Sequence, residues 1–85
     1  MTEKNNNSYS IVIDTRGLRC PLPVLKVQKD IKTLAFNQIA LVIADDPLAS
    51  VDLGHFCDQN NYSFVQIADE GDENVQYFRI ETITQ

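Results

Sequence analysis

The chain has 85 residues, a hydrophobic fraction of 44% and a formal net charge of −5. That length leaves room for one domain with a small core, burying about 60–65% of the surface its unfolded form would expose. The acidity argues against a dedicated nucleic-acid binder, whose footprint would be net basic, and no apolar run approaches the roughly 18 residues of a membrane span.

The opening MTEKNNNSYS is polar and has no apolar segment of the kind a secretory signal needs. Residues 1–8 read as a disordered tail, residues 9–85 as a single domain, and the expected location is cytoplasmic. YSIVID, from Tyr9 to Asp14, is short and rich in β-branched residues, and it ends at a Thr-Arg-Gly breaker, so it reads as a strand. From Pro21 to about Leu34, Val24, Val27, Ile31 and Leu34 recur at steps of three and four, with Lys26, Lys29, Asp30 and Thr33 on the other side. That spacing predicts an amphipathic helix. QIALVIA, from Gln38 to Ala44, is the continuous apolar run of a buried strand with a parallel neighbour. Asp46 then reads as an N-cap and Pro47 as the first residue of a second helix, whose stripe is Leu48, Val51, Leu53, Phe56 and Cys57 and whose end is Asn60-Asn61. YSFVQIA, from Tyr62 to Ala68, predicts a third strand. DEGDEN makes an acidic turn around Gly71, and the alternating VQYFRIETI, from Val75 to Ile83, predicts a fourth strand in a hairpin with the third. The order βαβαββ gives an α+β fold, a two-layer α/β sandwich in which a mixed four-stranded sheet carries both helices on one face.

The chemistry concentrates at Cys20. It lies between a polar loop and a helix start, and two prolines follow it. With Pro21 at the first helical position, Cys20 becomes the N-cap and Pro23 the third helical residue, which has no N–H to offer. The N–H of Leu22, with that of Val24 as a second candidate, would then face the sulfur. The helix N-terminus, Arg19 and Arg16 would all favour the charged form, so Cys20 is expected to be a thiolate at lower pH than an ordinary cysteine. Arg19, Pro21, Leu22 and Pro23 are the expected supporting residues. Cys57, on the apolar stripe, reads as a packed core thiol.

Other thiol chemistries fit less well. A disulfide oxidoreductase would carry Cys-x-x-Cys, whereas Pro23 occupies the second position here. A cysteine hydrolase needs a histidine and an orienting partner, whereas His55 stands alone in a helix pattern. Two distant cysteines and one histidine make a poor zinc set, so neither metal nor cofactor is expected. One activated thiol on a tiny scaffold suits a carrier that takes a group from one protein and presents it to another.

The segments DTRGLRCPLPVLKVQKDIK and ALVIADDPLASVDLGHFC resemble the TusA/SirA-like sulfur-carrier family. The Cys-Pro-x-Pro hallmark is matched by Gly17, Leu18, Arg19, Cys20, Pro21, Leu22 and Pro23. The second hallmark is matched by Asp45, Asp46 and Pro47, with Phe56-Cys57 after it, and the resemblance runs from about Ile13 to Glu81. Gly54 departs from the pattern, standing where the family often has proline. The resemblance implies that Cys20 carries a persulfide. Its sulfur would come from a cysteine desulfurase or a rhodanese-type donor and pass to a downstream acceptor protein, as in tRNA 2-thiouridine synthesis or related sulfur trafficking. It implies a carrier rather than a stand-alone catalyst, with no direct contact to nucleic acid or membrane. Five of the seven basic residues, Arg16, Arg19, Lys26, Lys29 and Lys32, crowd one segment. Arg16, Lys26 and Lys29, with Asp45 and Asp46 at the same sheet edge, are therefore the expected partner-binding residues. The alternative is a small regulatory or protein-binding module without sulfur transfer.

Overall fold

The structure is a computed structural model and describes residues 9–34, 38–67 and 74–82. The expected tail and the acidic turn around Gly71 lie outside these residues. Six elements follow in order: β1 (Ile11–Asp14), α1 (Leu22–Ile31), β2 (Gln38–Ala44), α2 (Ala49–Asn60), β3 (Ser63–Ile67) and β4 (Gln76–Thr82). The strands form one sheet in the order β1-β2-β4-β3. β1 and β2 are parallel, with Ile13 opposite Val42, and both β2–β4 and β3–β4 are antiparallel. This is the α+β architecture that the βαβαββ pattern predicts.

Parallel pairing decides where a site can be built. Because β1 and β2 run the same way, the loops that leave their C-terminal ends emerge at one sheet edge. The first loop carries Cys20 and the second carries Asp45 and Asp46. Thr15 fixes the start of the first loop. It is fully buried, and its backbone N–H and its hydroxyl both donate to the Ile43 carbonyl at 2.7 Å.

The core lies between the helices and one sheet face. Ile13 from β1, Ala40, Val42 and Ala44 from β2, and Phe78 and Ile80 from β4 meet Val27 and Ile31 of α1 and Leu53, Phe56 and Cys57 of α2. Alternate strand residues point inward, as the two-residue period of a pleated strand requires. Phe64 stacks on Phe78 with ring centroids 5.4 Å apart, and Tyr62 meets Phe56 edge-on at 5.8 Å.

The structure departs from the pattern at three elements. β2 is central but fully buried on one face only: among the described residues no helix covers its other side, and Ile39, Leu41 and Ile43 stay half-buried there. α1 begins at Leu22 and ends at Ile31. Pro21 therefore takes the N-cap place expected of Cys20, and Leu34 closes a turn by donating to the Ile31 carbonyl at 3.0 Å. α2 begins at Ala49 with Leu48 as its N-cap. Its buried stripe is Ala49, Leu53, Phe56 and Cys57, while Leu48 and Val51 are 54% and 61% exposed. The expected N-cap, Asp46, instead folds Pro47 and Leu48 into a turn ahead of the helix. Its carboxylate accepts from the Leu48 N–H at 3.0 Å and its carbonyl from the Ala49 N–H at 2.9 Å. At the other end the asparagine pair does stop the helix. Asn61 is left-handed (φ 61°), and the N–H groups of Asn61 and Tyr62 return to the Asp58 and Cys57 carbonyls in a Schellman arrangement.

Candidate functional site

The Cys20 loop is held by the loop after β2. Leu18 N–H donates to the Thr15 carbonyl at 3.1 Å, closing a turn in which Gly17 takes a φ of 89°. A side chain at that φ would strain the backbone, which is why glycine stands there. Gly17 N–H then donates to both oxygens of Asp45, at 3.0 and 3.2 Å, and the Arg19 guanidinium donates to the same carboxylate at 2.9 Å. Arg19, followed by the Gly17 N–H, holds the Asp45 carboxyl below the usual carboxylate range. The next carboxylate, Asp46, accepts from the backbone N–H of Cys20 at 2.5 Å. The two sequence motifs, separated by 26–28 residues, thus form one structure.

Two supporting features expected of the thiol turn out otherwise. The Leu22 N–H donates to the Arg19 carbonyl at 2.7 Å, not toward sulfur. Arg19 is turned to Asp45, and Arg16 forms a two-point pair with Asp14 at 2.9 and 2.6 Å that brings the Asp14 carboxyl to about 2. With the Leu22 N–H and both arginines engaged elsewhere, the charged group that shares the cleft of Cys20 is a carboxylate. Cys20 is exposed and shares a cleft with Asp52, in the first turn of α2. Hydrogen bonding toward Asp52, then partial desolvation, then the charges of Asp52 and Asp46 push the thiol above the ordinary cysteine range. This corrects the expectation of an activated thiolate.

Cys20 and Asp52 line an open cleft of about 480 Å³ between the start of α1 and the exposed side of α2, together with Pro21, Val24, Val51 and Phe56. Gln28, Gln59 and His55 complete its polar rim. His55 therefore lies in the same cleft as the thiol, which its isolated place in the sequence gave no reason to expect. Asp52 and the cleft walls were not expected either. The available signal was that α2 starts at the sheet edge where the Cys20 loop emerges, so an acidic residue in its first turn is brought beside that loop. Cys57 is buried at 1% exposure, and burial pushes its thiol up to about 12.

The remaining expected residues divide between the two sides of α1. Pro23 is buried under the helix, whereas Leu22 and Leu25 are about half exposed, at 49% and 52%. With Leu18 they line a second, smaller groove of about 360 Å³ that Lys26, Lys29 and Asp30 flank. Lys26 pairs with Asp30 at 3.3 Å, and Lys29 forms no ion pair among the described residues. The lysines thus border the leucine groove rather than the thiol cleft. Asp46, expected at a partner surface, is 4% exposed and clamps backbone, while Asp45 remains at the surface. Among the described residues no cluster of His, Cys, Asp and Glu could hold a metal ion, and no helix is long and apolar enough to cross a membrane.

Residues 11–81 match the family model described as Sulfurtransferase TusA. The fold is similar to the crystal structure of a SirA-like protein from Desulfitobacterium hafniense. The TM-score is 0.74 at 21% sequence identity, over 87% of this chain and 99% of that one.

Proposed function

The chain belongs to the sulfurtransferase TusA family, and from that membership we propose that it is a sulfur carrier whose working atom is the Cys20 sulfur. The observation that supports this most directly is an exposed thiol at the rim of an open cleft, with its backbone pinned by a buried carboxylate. Group carriage asks for a sulfur that is accessible and fixed in place, and asks little else of the scaffold.

The step needs no external oxidant. Cys20 gives up its proton, and the thiolate attacks the terminal sulfur of a donor persulfide. A bond forms between that sulfur and Cys20 Sγ, the donor's S–S bond breaks, and the donor cysteine leaves as a thiolate that takes up the proton. The transferred sulfur keeps its oxidation state. Delivery runs the same exchange onto an acceptor. In this reading the donor is a cysteine desulfurase or a rhodanese-type protein in the cytoplasm. The acceptor is a downstream protein of tRNA 2-thiouridine synthesis or related sulfur trafficking. Leu18, Leu22, Leu25, Lys26 and Lys29 form the docking groove on one flank of α1, and Asp45 with Arg19 borders the approach to the thiol.

The test is intact-mass spectrometry after incubation with a cysteine desulfurase and cysteine. The expected result is a gain of one sulfur, removed by a thiol reductant and mapped to the peptide containing Cys20. No gain, or a gain on Cys57, would overturn the reading.

A further inference from the structure

Of the acidic side chains near the site, all but one have charged or backbone partners. Asp14 pairs with Arg16, Asp30 with Lys26, and Asp45 with Arg19. Asp46 receives the N–H groups of Cys20 and Leu48. Asp52 forms no ion pair among the described residues, and it lines the same cleft as Cys20. The walls around the two groups are largely apolar, from Pro21, Val24, Val51 and Phe56. A hydrogen bond to a charged acceptor is stronger in such surroundings than in water.

We propose that Asp52 is the positioning residue of the Cys20 thiol, its carboxylate accepting the S–H across the cleft and keeping the resting protein in a protonated, weakly reactive form until a partner's cationic side chain engages that carboxylate. The proposal rests on Cys20 being the working thiol and adds how that thiol is regulated. Every element around the sulfur agrees with it. The Cys20 loop offers Arg19, but Arg19 is turned to Asp45. The β2–α2 loop offers the Asp46 carboxylate, and α2 offers Asp52 and His55. The cleft-lining residues of α1, Val24 and Gln28, are uncharged. Among the described residues the fixed charges facing Cys20 are therefore negative, and a negative surround favours a thiol over a thiolate. Since the thiolate is the nucleophile, the unbound carrier reacts slowly with adventitious electrophiles and oxidants.

A consequence follows for the loaded protein. An S–SH group is a stronger acid than a thiol, so the persulfide is more readily anionic. The carboxylate that attracts the thiol repels that anion, and loading turns the terminal sulfur away from Asp52 toward the rim. The partner that completes the switch carries a lysine or arginine. Its apolar stem matches Val24, Val51 and Phe56, and its charge matches Asp52.

The test is the pH dependence of Cys20 alkylation by iodoacetamide in the native protein, Asp52→Asn and Asp52→Glu, with no sulfur donor present. The native profile is expected to lie at higher pH than that of an unstructured cysteine peptide. Asp52→Asn should move to lower pH and react at least about threefold faster near pH ~8, the change that half a pH unit gives. Asp52→Glu, which keeps the charge, should stay close to native. A folded Asp52→Asn protein with the native profile would overturn the proposal. The S–H stretching band of the unsubstituted protein is a second measurement, assigned by difference from Cys20→Ser. A Cys20 band below that of buried Cys57, persisting at pH where the peptide has ionised, supports the proposal; a band lost together with that of the peptide overturns it. Because no sulfur moves in either experiment, failed persulfide loading would count against the carrier reading alone.

Discussion

At the scale of single residues, the two cysteines divide the work by environment. Cys20 is exposed at the cleft, whereas Cys57 is buried among Leu53, Phe56 and the sheet. Cys20→Ser is expected to abolish persulfide formation with the unfolding midpoint unchanged. Cys57→Ala is expected to retain it while losing about 1 kcal/mol of stability to the vacated volume. Urea unfolding beside the mass assay checks both, and sulfur uptake by Cys20→Ser would sink the assignment. Asp14 makes a different prediction. Arg16 holds its carboxyl at about 2, below the value of roughly 3.9 expected in the unfolded chain. A depressed carboxylate stabilises the fold above the unfolded value, and that contribution is lost as pH falls through the folded one. Between about pH 4 and 2, Asp14→Asn should therefore show a shallower loss of stability than the native protein. At neutral pH it should differ little, because the pair is exposed. Equal acid slopes would mean that the pair contributes nothing in solution. The place of Cys20 at a helix entry was readable from Pro21 and Pro23 alone. The state of its thiol was not, because the decisive group, Asp52, arrives from the other helix, 32 residues on. Arg19, the nearest cation in sequence, is drawn off by Asp45.

At the scale of elements, the strands and helices were legible because each carries a clear period, and the two misplaced helix starts share one cause. A proline after a capping-type residue reads as a first helical position, yet both prolines that open a helix here precede it. Pro21 is the N-cap of α1, and Pro47 lies in the turn ahead of α2. Starting α2 at Ala49 rotates its stripe onto Ala49, Leu53, Phe56 and Cys57 and leaves Val51 free to wall the cleft. The loop before α1 is fixed by several contacts at once. Gly17 at positive φ, Asp45 across from it and the Asp46 carboxylate on Cys20 N–H act together. Gly17→Ala is expected to cost about 1–2 kcal/mol through backbone strain, since nothing lies within 4 Å of the added carbon to clash with it. Asp46→Ala removes a buried acceptor of two backbone donors and is expected to cost about 2 kcal/mol. It should also slow sulfur uptake, by releasing the backbone that aims Cys20. Thermal unfolding and single-turnover loading at fixed pH separate the two effects. An Asp46→Ala protein that is destabilised yet loads at the native rate would show that the clamp serves the fold alone.

At the scale of the whole molecule, charge is distributed with a direction. The chain is acidic at −5, yet five of its seven cations fall between Arg16 and Lys32. Arg16 and Arg19 are neutralised by Asp14 and Asp45, so the outward positive charge belongs to α1. There Lys29 forms no ion pair among the described residues and Lys26 holds only an exposed pair with Asp30. These lysines flank the groove of Leu18, Leu22 and Leu25, on the side of α1 away from the thiol cleft. A partner that grips this groove and reaches over the N-terminus of α1 arrives at Cys20. Exposed leucines bordered by cations fit an acidic partner surface with an apolar centre, and such complementarity acts mainly on the rate of encounter. Lys26→Glu combined with Lys29→Glu should leave folding unchanged, since both side chains are exposed. With donor held below saturation, the second-order rate of sulfur delivery should fall by about tenfold at low ionic strength. The deficit should shrink as salt rises and the screening length falls from about 10 Å at 0.1 M to about 3 Å at 1 M. With donor saturating, the rate of the exchange itself should match native, because neither lysine touches the thiol cleft. Stopped-flow loading against ionic strength measures all three. An unchanged rate at low salt and limiting donor would reduce the lysines to a solvated helix face and leave the leucines to account for docking.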